Sequence, residues 1–123
     1  MMQSIEKARL CLKTIQERKA LEPVLLHVEA LTSVADYFLI TGGSSTRQVQ
    51  AIARHLRETL RKAGVRPFGT EGEQEGQWVL MDYGDVIIHI FYQPLREFYD
   101  LEGLWIEAPQ VDTEDPAQEV PGP

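Results

Sequence analysis

The run WVLMDYGDVIIHIFY at residues 78–92 constrains this chain more than any other stretch. Two β-branched and aromatic segments, 78–83 and 86–92, flank Gly84-Asp85, and a two-residue spacer of that kind signals a hairpin. Glycine at the first turn position favours a type II′ turn. Side chains alternate along a strand, so Trp78, Leu80 and Asp82 point one way and Val79, Met81 and Tyr83 the other. Both sets are largely apolar, which suits a strand inside a sheet covered on both faces. Two readings stand open. Either both faces are buried, or one face, rimmed by Asp82, Asp85 and the acidic loop at 71–76 (EGEQEG), is a docking surface with Trp and Tyr as anchors. On the second reading the partner-binding residues are Trp78, Leu80, Asp82, Tyr83 and Asp85.

The rest of the chain supplies the layers such a hairpin needs. Ser4 caps an amphipathic helix over 5–19 built on Ile5, Ala8, Leu12 and Ile15, and Pro23 ends it. Strands follow at 24–28 and 36–41, the second ending in Gly42-Gly43. Ser44, Ser45 and Thr46 offer N-caps for a helix with the stripe Val49, Ile52, Ala53, Leu56, Leu60 and Ala63, and Gly64 closes it. A short strand is expected at 65–69. Past the hairpin, Pro94 opens a helix through Phe98, and DLEGLW (100–105) adds another turn. The order predicts a single α/β (α+β) domain, a mixed sheet flanked by helices. Residues 107–123 hold five acids, no base and four of the seven prolines. That composition predicts a domain over 1–106 and a disordered acidic tail over 107–123.

Charge is distributed unevenly. Residues 1–70 carry eleven Lys and Arg against six Asp and Glu, whereas 71–123 carry Arg96 alone against thirteen acids, for a net −7. Bulk nucleic-acid binding is a poor fit to that balance, and a basic protein partner suits the acidic half. Arg47, Arg54, Arg57 and Arg61 lie mostly on one face of the second helix. A solvated face is the ordinary explanation, with contact to RNA phosphates as the alternative. Arg96, alone among acids, is expected to pair internally. No apolar run nears the ~20 residues of a membrane span, and the charged N-terminus is unlike a signal peptide. With Cys11 as its only cysteine, the chain is expected in a reducing cytoplasm without a disulfide framework.

Catalytic signals are weak. His27, His55 and His89 are scattered, which favours structural roles over a metal site. His89 interrupts an apolar strand and needs a hydrogen-bond partner if buried, for which Asp82 is the natural candidate. Cys11 packs beside the first helix's stripe as a small hydrophobe. The strand–Gly42-Gly43-Ser44-Ser45–helix junction can bind an anion at a helix N-terminus, and a nucleotide site at Gly42–Thr46 is the enzymatic alternative. It matches neither phosphate-loop fingerprint. Nucleotidyltransferases place metal-binding carboxylates about a dozen residues after a comparable Gly-Ser, and residues 51–57 hold none.

The stretches ADYFLITGGSSTRQVQAIARHL and GTEGEQEGQWVLMDYGDVIIHIFYQPLREFYDLEGLW closely resemble the ribosomal silencing factor, or Iojap-like, family. D-Y-G-D-V-x-x-H-I-F followed by R-x-F-Y-D-L-E-x-L-W is the densest motif, and the resemblance runs from the first helix to Trp105. It implies a nucleotidyltransferase-like fold without the catalytic carboxylates, and a non-enzymatic role with no cofactor or metal. The implied partner is the large ribosomal subunit, bound through its fourteenth protein, a basic one, with ribosomal RNA contact as an option and a homodimer as another when the protein is free. Docking there would block joining of the small subunit and repress translation, and the family is also linked to large-subunit assembly.

Overall fold

The computed structural model describes residues 2–113. Its elements are α1 (Ser4–Gln16), β1 (Leu21–His27), β2 (Tyr37–Gly43), α2 (Thr46–Lys62), β3 (Gly69–Glu71), β4 (Trp78–Asp82), β5 (Val86–Tyr92), α3 (Gln93–Tyr99), α4 (Leu101–Leu104) and β6 (Gln110–Val111). The strands form one sheet in the order β3-β4-β5-β2-β1-β6. Only β2 and β5 run parallel; the other neighbours are antiparallel. The fold is therefore the mixed-sheet α/β domain that the element order predicts.

Alternation along the strands divides the interior into two layers. Leu25, Leu39, Val79, Met81, Ile88 and Ile90 face α1 and α2, meeting Leu12, Ile15, Ile52 and Leu56. Leu26, Phe38, Ile40, Ile87 and Phe91 face the other way, under Leu95, Leu101 and Trp105. The second layer has the thinner cover, because α3 and α4 together supply only eleven residues of helix, seven and four.

Several boundaries move, each for a local reason. Gln3, not Ser4, is the N-cap of α1, and its amide donates to Glu6 Oε1 at 2.9 Å. Ser4 instead turns its hydroxyl toward Asp36 and Asp85, 2.7 Å from each. The strand expected at 65–69 forms at Gly69–Glu71, because Val65 is used to close α2. Val65 N–H donates to Leu60 O (2.8 Å) and Gly64 N–H to Arg61 O (2.9 Å), with Gly64 at φ +82°. That is a Schellman closure. Strand β1 begins earlier than 24, paired through a bulge at Glu22-Pro23 where proline's missing N–H is tolerated. Strand β2 continues through Gly42-Gly43 rather than ending there.

The C-terminal segment departs most from expectation. Residues 107–113 belong to the domain: β6 pairs with Leu25 and Leu26 on β1, His27 N–H donates to Pro109 O at 2.9 Å, and Ala108 is buried. An acidic, proline-rich composition hides the two-residue strand that the β1 edge captures. The expected disorder over 114–123 lies outside the described residues.

Candidate functional site

The β4–β5 register sets Trp78 opposite Phe91, Leu80 opposite His89 and Asp82 opposite Ile87, all on the face away from α1 and α2. Trp78 stacks on Phe91 with centroids 4.7 Å apart and leans on Tyr99 at 5.1 Å. Tyr99 meets Phe98 edge to face at 5.1 Å. The row becomes steadily more exposed: Trp78 36%, Tyr99 49% and Phe98 77%. Half-buried Leu80 and exposed Glu71 border a shallow depression beside the indole. The hairpin is therefore covered on its Val79–Met81 side and partly bare on its Trp78–Leu80 side. Tyr99 and Phe98, aromatics downstream of the hairpin in sequence and outside the five residues expected to bind, join this face from the short helix α3.

Not all five hairpin residues reach that surface. Tyr83 is 1% exposed and lies in the layer under α1 and α2, so it is core and not an anchor. Burial raises its phenol pKa, and its hydroxyl has no hydrogen-bond partner among the described residues. Asp85 is a tether. It accepts from Lys7 Nζ and Ser4 Oγ at 2.7 Å each, fixing the hairpin turn to α1. Burial pushes the Asp85 carboxyl up, but the Lys7 and Ser4 contacts outweigh it and hold the pKa below the ordinary value. Asp82 accepts from Gly84 N–H at 2.8 Å and stays half-buried. Gly84 alone in the turn takes positive φ, +88°, in keeping with type II′. Trp78, Leu80 and Asp82 thus share the candidate face, while Tyr83 and Asp85 build the scaffold behind it.

His89 does not bond Asp82. It is 7% exposed, and its Nδ1 accepts from Trp78 Nε1–H at 3.1 Å. Burial depresses its pKa to about 4, so the ring is neutral near pH 7. His55 meets Glu17 at 2.9 Å and His27 meets Glu29 at 3.2 Å. Among the described residues no three His, Cys, Asp or Glu side chains come together as a metal site. Buried Cys11 has its pKa raised to about 12 by desolvation, which suits packing and not nucleophilic attack.

The Gly-Gly-Ser-Ser junction is explained by packing. A Cβ on Gly42 would lie 1.8 Å from Gln93 Oε1 on α3, and one on Gly43 would lie 2.8 Å from Val49 Cγ2 on α2. The two glycines let one helix approach on each face of β2. Ser45 Oγ accepts from Gln48 N–H, and Gln48 Oε1 accepts from Ser44 N–H. The cap is therefore filled by the chain itself.

On α2, Arg57 is committed to a two-pronged pair with Glu73 of the acidic loop. The hydrogen bonds between them raise the Arg57 pKa and lower that of Glu73. Gln50 Nε2 adds bonds to Glu73 O and Gln74 O, pinning the loop against the helix. Arg47, Arg54 and Arg61 stay exposed. Arg96 is buried and paired as expected, with Glu102 at 3.0 Å and with the carbonyls of Leu21 and Glu22.

Comparison with known proteins decides the family. The family described as "Ribosomal silencing factor during starvation" matches residues 1–122. The chain belongs to the ribosomal silencing factor family. It is 38% identical over 113 residues to ribosomal silencing factor RsfS of Halalkalibacterium halodurans, covering 92% of this chain and 97% of that one. A crystal structure of a Chromobacterium violaceum protein superposes with TM-score 0.83 at 36% identity, covering 85% and 87%. A more distant relative is the mouse mitochondrial assembly of ribosomal large subunit protein 1, 30% identical over 94 residues, 74% of this chain and 41% of that protein.

The motifs through which this chain resembles the family are largely scaffold. Gly84 makes the hairpin turn, Asp85 ties it to α1, and Arg96 clamps α3 to β1. Asp100 adopts the left-handed conformation between α3 and α4 and caps Gly103, whose missing side chain leaves room for that carboxylate. Trp105 packs edge-on against Phe38 at 5.0 Å. What these parts jointly hold in place is the aromatic row on the thinly covered face. No helix among the described residues is long and apolar enough to cross a membrane.

Proposed function

We propose that this chain is a cytoplasmic, non-enzymatic translational repressor that docks on the large ribosomal subunit through the face carrying Trp78, Leu80, Asp82 and Tyr99. On this reading the partner is a basic ribosomal protein, the fourteenth of the large subunit, and the bound protein occupies a surface that the small subunit needs for joining. The observation carrying the proposal is the aromatic row itself. On the thinly covered face of the sheet one Trp and one Tyr stay partly exposed beside half-buried Leu80, and Trp and Tyr are the residue types that dominate interface energetics. The acidic balance of residues 71–113 favours a basic partner and speeds encounter at low salt. The family's name and the large-subunit assembly named for the mouse relative point to the same partner class.

Such a mechanism is stoichiometric. Repression should track the ratio of protein to large subunits, and no turnover is needed. The test is co-sedimentation with purified large subunits, small subunits serving as control, followed by addition of small subunits and measurement of joined ribosomes. Trp78→Ala should weaken binding by about 2 kcal/mol, close to thirtyfold, and restore joining at the same protein concentration. A folded Trp78→Ala protein with unchanged affinity, or undiminished joining at saturation by the native protein, would overturn the proposal.

A further inference from the structure

We propose that His89 is the positioning residue of the docking face, holding the Trp78 indole in the orientation it presents to a partner. The inference rests on the docking role of Trp78 argued above. An indole N–H is a donor only, so at 3.1 Å the His89 Nδ1 must be the acceptor, with the proton of the neutral ring on Nε2. Its neighbours on the same face of β5, Ile87 and Phe91, are apolar. An imidazole buried in that row is costly unless it makes a specific bond, and the bond it makes is to the exposed aromatic on the next strand. Phe91 and Tyr99 limit how far the indole can tilt, but stacking tolerates rotation in the ring plane. The hydrogen bond does not.

His89 is itself held. Phe38 meets it edge to face at 5.8 Å, and Trp105 meets Phe38 the same way at 5.0 Å. Orientation thus passes from α4's end through Phe38 and His89 to the surface. A side chain that is ordered before binding loses less freedom on docking, so this arrangement strengthens association without itself touching the partner.

The experiment compares Trp78→Ala, His89→Leu and His89→Asn in the full chain, reading affinity for purified large subunits and the indole N–H resonances of ¹⁵N-tryptophan-labelled protein. Asparagine is the conservative variant, because its Oδ1 stands at the same number of bonds from Cβ as Nδ1 and can accept the same bond. Trp78→Ala assigns the Trp78 resonance by deleting it. His89→Leu should shift that resonance to the free-indole position and weaken binding about tenfold. His89→Asn should retain the hydrogen-bonded shift and bind within about threefold of the native protein. Where Trp78→Ala weakens binding, a His89→Leu protein that binds like the native one, or a His89→Asn protein that keeps the indole shift yet binds as weakly as His89→Leu, overturns the proposal. If Trp78→Ala itself binds normally, the docking reading fails instead. The resonances then still decide the positioning claim: shifted in His89→Leu and kept in His89→Asn upholds it, and any other pattern refutes it.

Discussion

At the scale of single residues, burial on this sheet turns side chains with functional reputations into structural ones, and it makes their contributions measurable. His89 has a folded-state pKa near 4 against an ordinary value of about 6.5. Between those values the unfolded chain binds a proton that the native state refuses, so stability rises with pH across that window and is lost as pH falls. The shift corresponds to about 3 kcal/mol at most. Asp85 acts in the same direction further down. Its depressed pKa gives stability that is present above the ordinary carboxylate range and disappears as pH drops through the folded value. Denaturant midpoints measured from pH 7 to about pH 2 should therefore fall, and His89→Asn should flatten the part of that fall above about pH 4 while leaving the part below it. An unchanged profile would mean that His89 takes its proton at an ordinary pKa. Tyr83 offers a second check. Its buried hydroxyl lacks a partner among the described residues, so Tyr83→Phe should be neutral or stabilise by up to about 1 kcal/mol, with no effect on subunit binding. A marked loss of affinity would return Tyr83 to the docking face.

Elements explain why some of this was legible in the sequence and some was not. The hairpin, both long helices and the Gly64 closure each carry a local signal, such as a two-residue spacer, a 3.6-residue stripe or a glycine where φ is positive, and each forms close to where that signal stands. Competing partners, near and far along the chain, displaced the others. Val65 is drawn into the α2 closure, Ser4 into a contact with two carboxylates far along the chain, and His89 toward a tryptophan eleven residues away instead of Asp82. Of the candidate site, strand alternation alone groups Trp78 with Leu80 and Asp82. Tyr83 follows from it too, since alternation puts it with Val79 and Met81, but nothing local says which side the helices cover. The arginines of α2 separate in the same way, because only tertiary structure brings Glu73 to Arg57. That difference predicts two behaviours for one helix face. Neutralising exposed Arg54 and Arg61 together should flatten the salt dependence of subunit binding by about two in logarithmic slope if both touch RNA phosphates. Arg57→Gln should instead cost up to about 1 kcal/mol of stability by releasing the acidic loop. An unchanged slope in the double variant would assign Arg54 and Arg61 to solvent.

For the whole molecule, the decisive feature is that the sheet closes on its far edge with the C-terminal segment, six strands from end to end, while the aromatic row sits toward the opposite edge on β4. Ending the chain after Ile106 removes β6, buried Ala108 and the Pro109 carbonyl that receives His27 N–H. It exposes the edge of β1 as well, and an unpaired strand edge invites pairing with other chains. That truncation should lower stability by about 1–3 kcal/mol and promote association. Ending after Thr113 leaves the whole described sheet in place and removes Glu114, Asp115 and Glu119 with no basic residue. Those charges would be repelled by ribosomal RNA, so their loss should leave affinity for large subunits unchanged or slightly raise it at low salt, with the difference fading as salt screens it. The comparison needs both truncations and the full chain, each measured for denaturant midpoint and for subunit affinity at two salt concentrations. The shorter chain should lose stability first and affinity only in proportion to its unfolded fraction. A tenfold loss of affinity in the longer one, about 1.4 kcal/mol, would show that residues 114–123 belong to the interface.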